Sequence, residues 1–177
     1  WVNRGVVVEN VYKDRNRITQ RMEGTQGKWV VSLDLSKSWD GDVTGFRALN
    51  GHSGTLSIRR EGTKKYLVMT TDVVHFDGSD REVSKTISEV VSEEKERVEI
   101  LQDNIYLRID CDFRDKKEQA LFYYSLDNRN WQPIGSEFRM RFDYMKFFMG
   151  TKFAIFNYAT QSLGGYVDVD FFEYERE

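Results

Sequence analysis

Between residues 104 and 113 apolar and polar side chains alternate without a break. Ile105, Leu107, Ile109, Cys111 and Phe113 share one face, and Tyr106, Arg108, Asp110 and Asp112 share the other. A pleated chain sends successive side chains to opposite sides, whereas a helix would scatter the two sets around its axis. The pattern predicts a strand with one face in a core, as in an antiparallel sheet. It recurs in Trp29, Val31, Leu33 and Leu35 against Val30, Ser32 and Asp34. It returns near the end, where a Gly164-Gly165 pair opens a run with Val167, Val169 and Phe171 on one face and Tyr166, Asp168, Asp170 and Phe172 on the other.

Further strands are predicted at 5–11, 16–22, 43–49, 54–60, 65–70, 120–126 and 153–158, with turns at Glu23-Gly24, Asn50-Gly51, Glu61-Gly62 and Asp127-Asn128. Gly and Asn at such places supply the backbone angles that tight turns demand. Residues 38–42 read as a loop carrying Trp39. Residues 80–102 leave two readings open. A helix over 88–99 would pair acidic and basic residues three or four apart, but two strands around a charged loop fit the surroundings better. The aromatic share of 14% and the 13 glycines against one proline suit sheets. The whole, residues 1–177, is expected to form a single all-β domain, a two-sheet antiparallel β-sandwich, large enough to bury a core without disulfides or metals.

A net charge of -3 with interspersed signs offers no basic face to a phosphate backbone, so nucleic acid is not an expected partner. No apolar run approaches the roughly 20 residues that span a bilayer, so neither is a membrane. Trp1 stands where a methionine would begin a complete chain, and no signal-peptide pattern follows. One module of a longer protein is expected.

Few residues suggest catalysis. Cys111 falls on an apolar strand face and reads as a buried thiol. His52 and His75 lie in no metal-ligand or triad spacing, and no nucleophile elbow or phosphate-cradling loop is present, so no metal or cofactor is implied. Asp168 and Asp170, two residues apart on one strand face, would lie about 6.5–7 Å apart by backbone rise. That suits a glycosidase pair but equally suits solvated carboxylates, and Asp110 and Asp112 repeat the spacing. Trp39 beside Asp40 and Asp42, and Tyr158 beside Asn157, combine a ring with hydrogen-bonding groups, as sugar recognition requires. Phe142, Tyr144, Phe147 and Phe148 crowd one segment, as for a surface pressed against another.

The ordered runs Arg17-Ile18-Thr19-Gln20-Arg21, Asp40-Gly41-Asp42-Val43-Thr44-Gly45-Phe46, Tyr106-Leu107-Arg108-Ile109-Asp110 and Phe122-Tyr123-Tyr124-Ser125-Leu126-Asp127 with Trp131, together with residues 153–172, resemble one family. It is the C-terminal concanavalin A-like jelly roll of family 43 glycoside hydrolases, found in β-xylosidases and α-arabinofuranosidases. The resemblance implies an accessory module that follows a five-bladed catalytic propeller in the same polypeptide. The propeller carries the catalytic carboxylates, so no catalytic residue is expected in this chain. It also implies an extracellular or periplasmic location and, as partner, a plant cell-wall polysaccharide or oligosaccharide such as xylan or arabinoxylan. Candidate carbohydrate-binding residues are then Arg21, Trp39, Asn50, His52, Asn157 and Tyr158, with Phe147 or Phe148 reaching the rim of the propeller's pocket. The chain departs from the family in lacking a Trp-x-Trp-Asn-His-Asn stretch ahead of Thr19-Gln20-Arg21, and in its longer, more charged 80–102 segment. The alternatives are a free-standing sandwich hydrolase or lyase using Asp168 and Asp170, and a lectin-like binding protein.

Overall fold

The computed structural model of the chain describes residues 7, 17–77, 87–114, 117–139 and 150–176. In chain order its strands are β1 (Arg17–Arg21), β2 (Gln26–Asp34), β3 (Asp42–Leu49), β4 (Ser53–Glu61), β5 (Lys64–Phe76), β6 (Ile87–Glu99), β7 (Asn104–Asp112), β8 (Gln119–Ser125), β9 (Gln132–Pro133), β10 (Phe138–Arg139), β11 (Lys152–Ala159) and β12 (Asp168–Arg176). Sheet one runs β1-β11-β3-β4-β5-β6 and sheet two runs β10-β8-β7-β2-β12, with β9 added to β8. Every pairing is antiparallel. No helix occurs among the described residues. The predicted all-β sandwich is the observed architecture.

Alternation builds its core. In sheet two the register sets Trp29 opposite Ile109, Val31 opposite Leu107 and Leu33 opposite Ile105, so the apolar faces of β2 and β7 coincide. In sheet one Phe46, Leu56, Ile58, Leu67, Met69, Phe153 and Ile155 turn inward to meet them in one cluster. The two sheets are joined by the Trp29 ring stacked on Phe153, centroids 3.9 Å apart. Each large side chain buried here contributes about 1.5–3 kcal/mol by the apolar area it removes from water.

Two segments differ from expectation. Residues 87–99 form one continuous strand, with neither a helix nor a charged loop inside them. The acidic and basic residues that suggest helical pairing reach across strands as well, Glu94 to Arg59 at 3.4 Å, Arg97 to Glu61 at 3.0 Å and Glu99 to Lys64 at 3.3 Å, while Arg97 also meets Glu94, three residues away, at 2.9 Å. In β12 the register passes from Val169 opposite Leu33 to Phe171 opposite Ser32, leaving Asp170 as the extra residue of a bulge. A bulge shifts the alternation by one. Phe172 therefore faces inward, edge-on to Phe46 at 5.8 Å, and Tyr174 stacks on Trp29 at 4.6 Å. Phe171 turns outward to meet Tyr106. The expected pairing of Phe171 with Val169 on one face holds only up to the bulge. The strand predicted at 5–11 lies, but for Val7, outside the described residues.

Candidate functional site

The residues of sheet one that do not enter the core form the other face of the sheet. In β4, Leu56 and Ile58 point inward, so Thr55, Ser57 and Arg59 point out. The same alternation places Val43 and Arg47 of β3, Thr70 and Asp72 of β5, Ser92 of β6, and Phe156 and Tyr158 of β11 on that face. A groove of about 850 Å³ runs there, lined by most of these residues and closed at one end by Asp40, Gly41, Gly62, Thr160 and Gln161. Its size lies in the range typical of small-molecule sites.

The floor is polar and buried. Asp72 accepts hydrogen bonds from Ser53 Oγ at 2.9 Å and Ser92 Oγ at 2.5 Å, and the Arg47 guanidinium lies 3.6 Å away. Arg47 also donates to Ser53. The Asp72 charge is thereby compensated, as a buried carboxylate requires. Thr55 and Thr70 face each other in the β4–β5 register. Their buried hydroxyls find no hydrogen-bond partner among the described residues. On one wall the rings of Phe156 and Tyr158 lie 5.9 Å apart at 27°. At the rim Arg59 pairs with Glu94, Arg60 Nε donates to the Gly62 carbonyl, and the Gly62 N–H donates to Asp40. The groove can therefore hold a ligand by hydrogen bonds and ring contact. Its three lining carboxylates, Asp40, Glu61 and Asp72, are each engaged by a neighbour.

The six candidate binding residues are not brought together. Tyr158 lines the groove. Asn157 alternates with it and is buried on the opposite face. Asn50 and His52 occupy the β3–β4 turn, where the Asn50 N–H donates to the His52 carbonyl and His52 Nδ1 accepts the Val74 N–H at 3.1 Å. Trp39 stands before the other end of β3. At 3.4 Å per residue that strand separates the two turns by about 24 Å. Trp39 is 50% exposed, and its indole lies over Gly164, where φ is +129° and an added Cβ would fall 2.6 Å from the ring. Next to it a Cβ on Gly165 would fall 1.8 Å from the Asp42 carboxylate, which accepts the Trp39 N–H at 2.7 Å. The Gly-Gly pair thus locks the 38–42 loop at the groove's end. Arg21 is exposed at the end of the edge strand β1. Phe147 and Phe148 lie outside the described residues.

Asp168 and Asp170 belong to the other sheet. Asp170 accepts the Ser32 hydroxyl at 3.2 Å. Asp168 borders a second cleft of about 520 Å³ with Ile18, Gln20, Phe153, Ile155, Val169 and Phe172, where β1 and β12 meet. Elsewhere on sheet two the Arg108 guanidinium lies over Tyr123 and Trp131, at 4.2 and 4.8 Å. Burial, with the Asp110 charge beside it, pushes the Cys111 thiol far up. Sequence reasoning missed Arg47, Thr55, Thr70 and Asp72. The only local signal was the short polar side chains of Thr55 and Ser57 at the outward positions of β4, and Thr is common in strands of every kind.

Residues 6–175 match the family model of the β-xylosidase C-terminal concanavalin A-like domain. A β-xylosidase of Formosa agariphila is 24% identical over 177 residues, covering 99% of this chain and 26% of that protein. A bifunctional GH43-CE protein of Bacteroides eggerthii superposes with a TM-score of 0.83 and 34% identity, over 99% of this chain and 20% of that one. A GH43 glycoside hydrolase engineered to show both endo-xylanase and exo-arabinofuranosidase activity superposes with a TM-score of 0.84 and 26% identity, over 98% of this chain and 33% of that one. The chain thus spans between a fifth and a third of the length of each relative. With its two antiparallel sheets and near-complete coverage by the family model, it belongs to the β-xylosidase C-terminal concanavalin A-like domains of family 43 glycoside hydrolases.

Proposed function

We propose that this chain is a non-catalytic accessory module of a secreted family 43-type glycoside hydrolase acting on xylan or arabinoxylan. In this reading it packs on the catalytic propeller of the same polypeptide, contributes Phe147 or Phe148 to the rim of the propeller's pocket, and holds a polysaccharide chain beside it. The observation that carries the reading is the match over residues 6–175 to a domain that forms the C-terminal part of β-xylosidases. Supporting it, the carboxylates that line the groove are engaged by neighbours, and Asp170 is held by Ser32. A sugar-release assay on arabinoxylan and xylo-oligosaccharides tests the reading. The chain by itself is expected to release no pentose. Release that disappears in Asp168→Asn and Asp170→Asn would overturn the reading in favour of a sandwich hydrolase.

A further inference from the structure

We propose that the groove on the outer face of sheet one is a binding site for a neutral, polyhydroxylated chain. A sugar ring lies on Tyr158, and the Thr55 and Thr70 hydroxyls meet the sugar's hydroxyls. The site differs from the turn residues Trp39, Asn50 and His52, and its residues come from five strands that only the fold unites.

The ligand class follows from what the groove offers. Its charges are internally matched: Asp72 by Arg47, Arg59 by Glu94, and Glu61 by Arg97. Arg60, the other lining cation, is committed through Nε to the Gly62 carbonyl, so the described residues offer a phosphate or polyanion no cluster of uncommitted Arg and Lys of the kind that holds such ligands. An extended peptide binds by adding to a sheet edge, where backbone groups are open. The groove lies on a sheet face whose strands are paired on both sides, β3 with β11 and β4, and β5 with β4 and β6. A small apolar ligand would leave the threonine hydroxyls unpaired.

Those hydroxyls are the decisive feature. Each can donate and accept, they sit opposite each other across β4 and β5, and Thr55 is only 5% exposed. A side chain of Thr carries a methyl and a hydroxyl on the same Cβ, and strands admit more than one χ1 well. A χ1 rotation of about 120° carries the oxygen to the place the methyl held and the methyl to that of the Hβ, and so can turn the oxygen toward the groove, where a ligand hydroxyl supplies the missing partner. Tyr158, on the wall, supplies an aromatic face for the C–H side of the ring. Because no net charge is recruited, binding should vary little with salt.

The inference rests on the accessory-module reading only for the choice of pentose. The test is calorimetric titration of the 177-residue chain with xylohexaose, cellohexaose and hexagalacturonate at 50 and 500 mM NaCl. Saturable binding of a neutral hexasaccharide at both salt concentrations is expected. The affinity should fall about tenfold in the Thr55→Val, Thr70→Val double variant, equivalent to about 1.4 kcal/mol, and by at least as much in Tyr158→Ala. Valine keeps the β-branched shape, so the double variant is expected to fold, and its melting temperature checks that. Trp39→Ala should bind as the parent does. Cellohexaose bound with the same variant pattern, and xylohexaose not bound, would uphold the groove and sink the pentosan reading. Preference for hexagalacturonate, absence of binding by either neutral chain, or binding lost in Trp39→Ala and untouched by the groove variants would overturn the proposal.

Discussion

Replacing Thr55 by valine should make the protein more stable, although it removes a hydrogen-bonding group. Among the described residues the buried Thr55 hydroxyl has no hydrogen-bond partner, so folding strips it of water with no bond in return. Mutational data put that cost at about 1–3 kcal/mol. Valine also adds a methyl group to buried surface, about 0.8 kcal/mol, and suits a strand equally well. Part of the gain is lost to imperfect fit, because a methyl group is larger than a hydroxyl. The net expectation is a gain of about 1–2 kcal/mol, or about 3–6 °C in Tm for a domain of this size. Thr44→Val is the matched control. Its buried Oγ donates to the Phe156 carbonyl at 3.0 Å, so the same chemical change should cost about 1 kcal/mol. Urea unfolding of both variants, with m-values compared, reads the difference directly. A Thr55→Val variant that loses stability as Thr44→Val does would show that the Thr55 hydroxyl is satisfied in solution. That result would refute the reasoning about the groove floor.

Asp72→Ala leaves the Arg47 charge buried without its carboxylate and should lower the unfolding free energy by about 3–5 kcal/mol in the same urea assay. Asp112, Asp127 and Asp34 are held below the usual carboxylate range, by the Arg114 side chain, by the Asn130 and Arg129 backbone N–H groups, and by the Ser36 backbone N–H respectively. A lowered folded-state pKa stabilises the protein above the unfolded value of about 3.9, and that stabilisation is lost as pH falls below it. Tm should therefore be flat from pH 7 to about 5 and decline below, and a Tm higher at pH 3 than at pH 7 would contradict this. The buried Cys111 thiol, its pKa raised by burial, should not react with a disulfide reagent at pH 8 in the native state and should react fully in denaturant.

How much was legible depended on how local the determinant is. The inward faces of β2 and β7 were readable because strict alternation is a property of nearest neighbours, and all of Trp29, Val31, Leu33, Leu35, Ile105, Leu107 and Ile109 are buried. The turn at Asn128 was equally local, and its φ of 58° is the left-handed angle expected of an asparagine there. The 87–99 segment was legible as strand only through its surroundings, because its charges are also spaced for a helix, while the cross-strand partners that fix it lie on β4 and β5, more than thirty residues away. The β12 bulge was hidden too, since one extra residue shows only when the partner strand is known. The groove is the extreme case: Thr55 faces Thr70, and Arg47 reaches Asp72, only once β3, β4 and β5 are in register.

The two features that the sequence alone leaves without a reason, the charges of β6 and the small polar residues of β4, have a single structural cause. The outer face of sheet one is neither core nor open solvent along its middle. Fully apolar residues there would fill the groove, and long charged ones at Thr55, Ser57 or Thr70 would block it. The charges are displaced to the margin instead, where Glu94 meets Arg59 and Arg97 reaches Glu61, tying β6 to β4 across β5. Arg97 crosses the intervening strand over the Tyr66 ring, 5.1 Å from its centroid. Such half-exposed ion pairs add little to stability. Their geometric effect is larger: they hold the edge strand in place and line one side of the cleft. Because β6 is an edge strand, its many like charges also discourage pairing with a second copy of the chain. A segment whose charges also suit a helix is thus a protected edge and one wall of the groove at once.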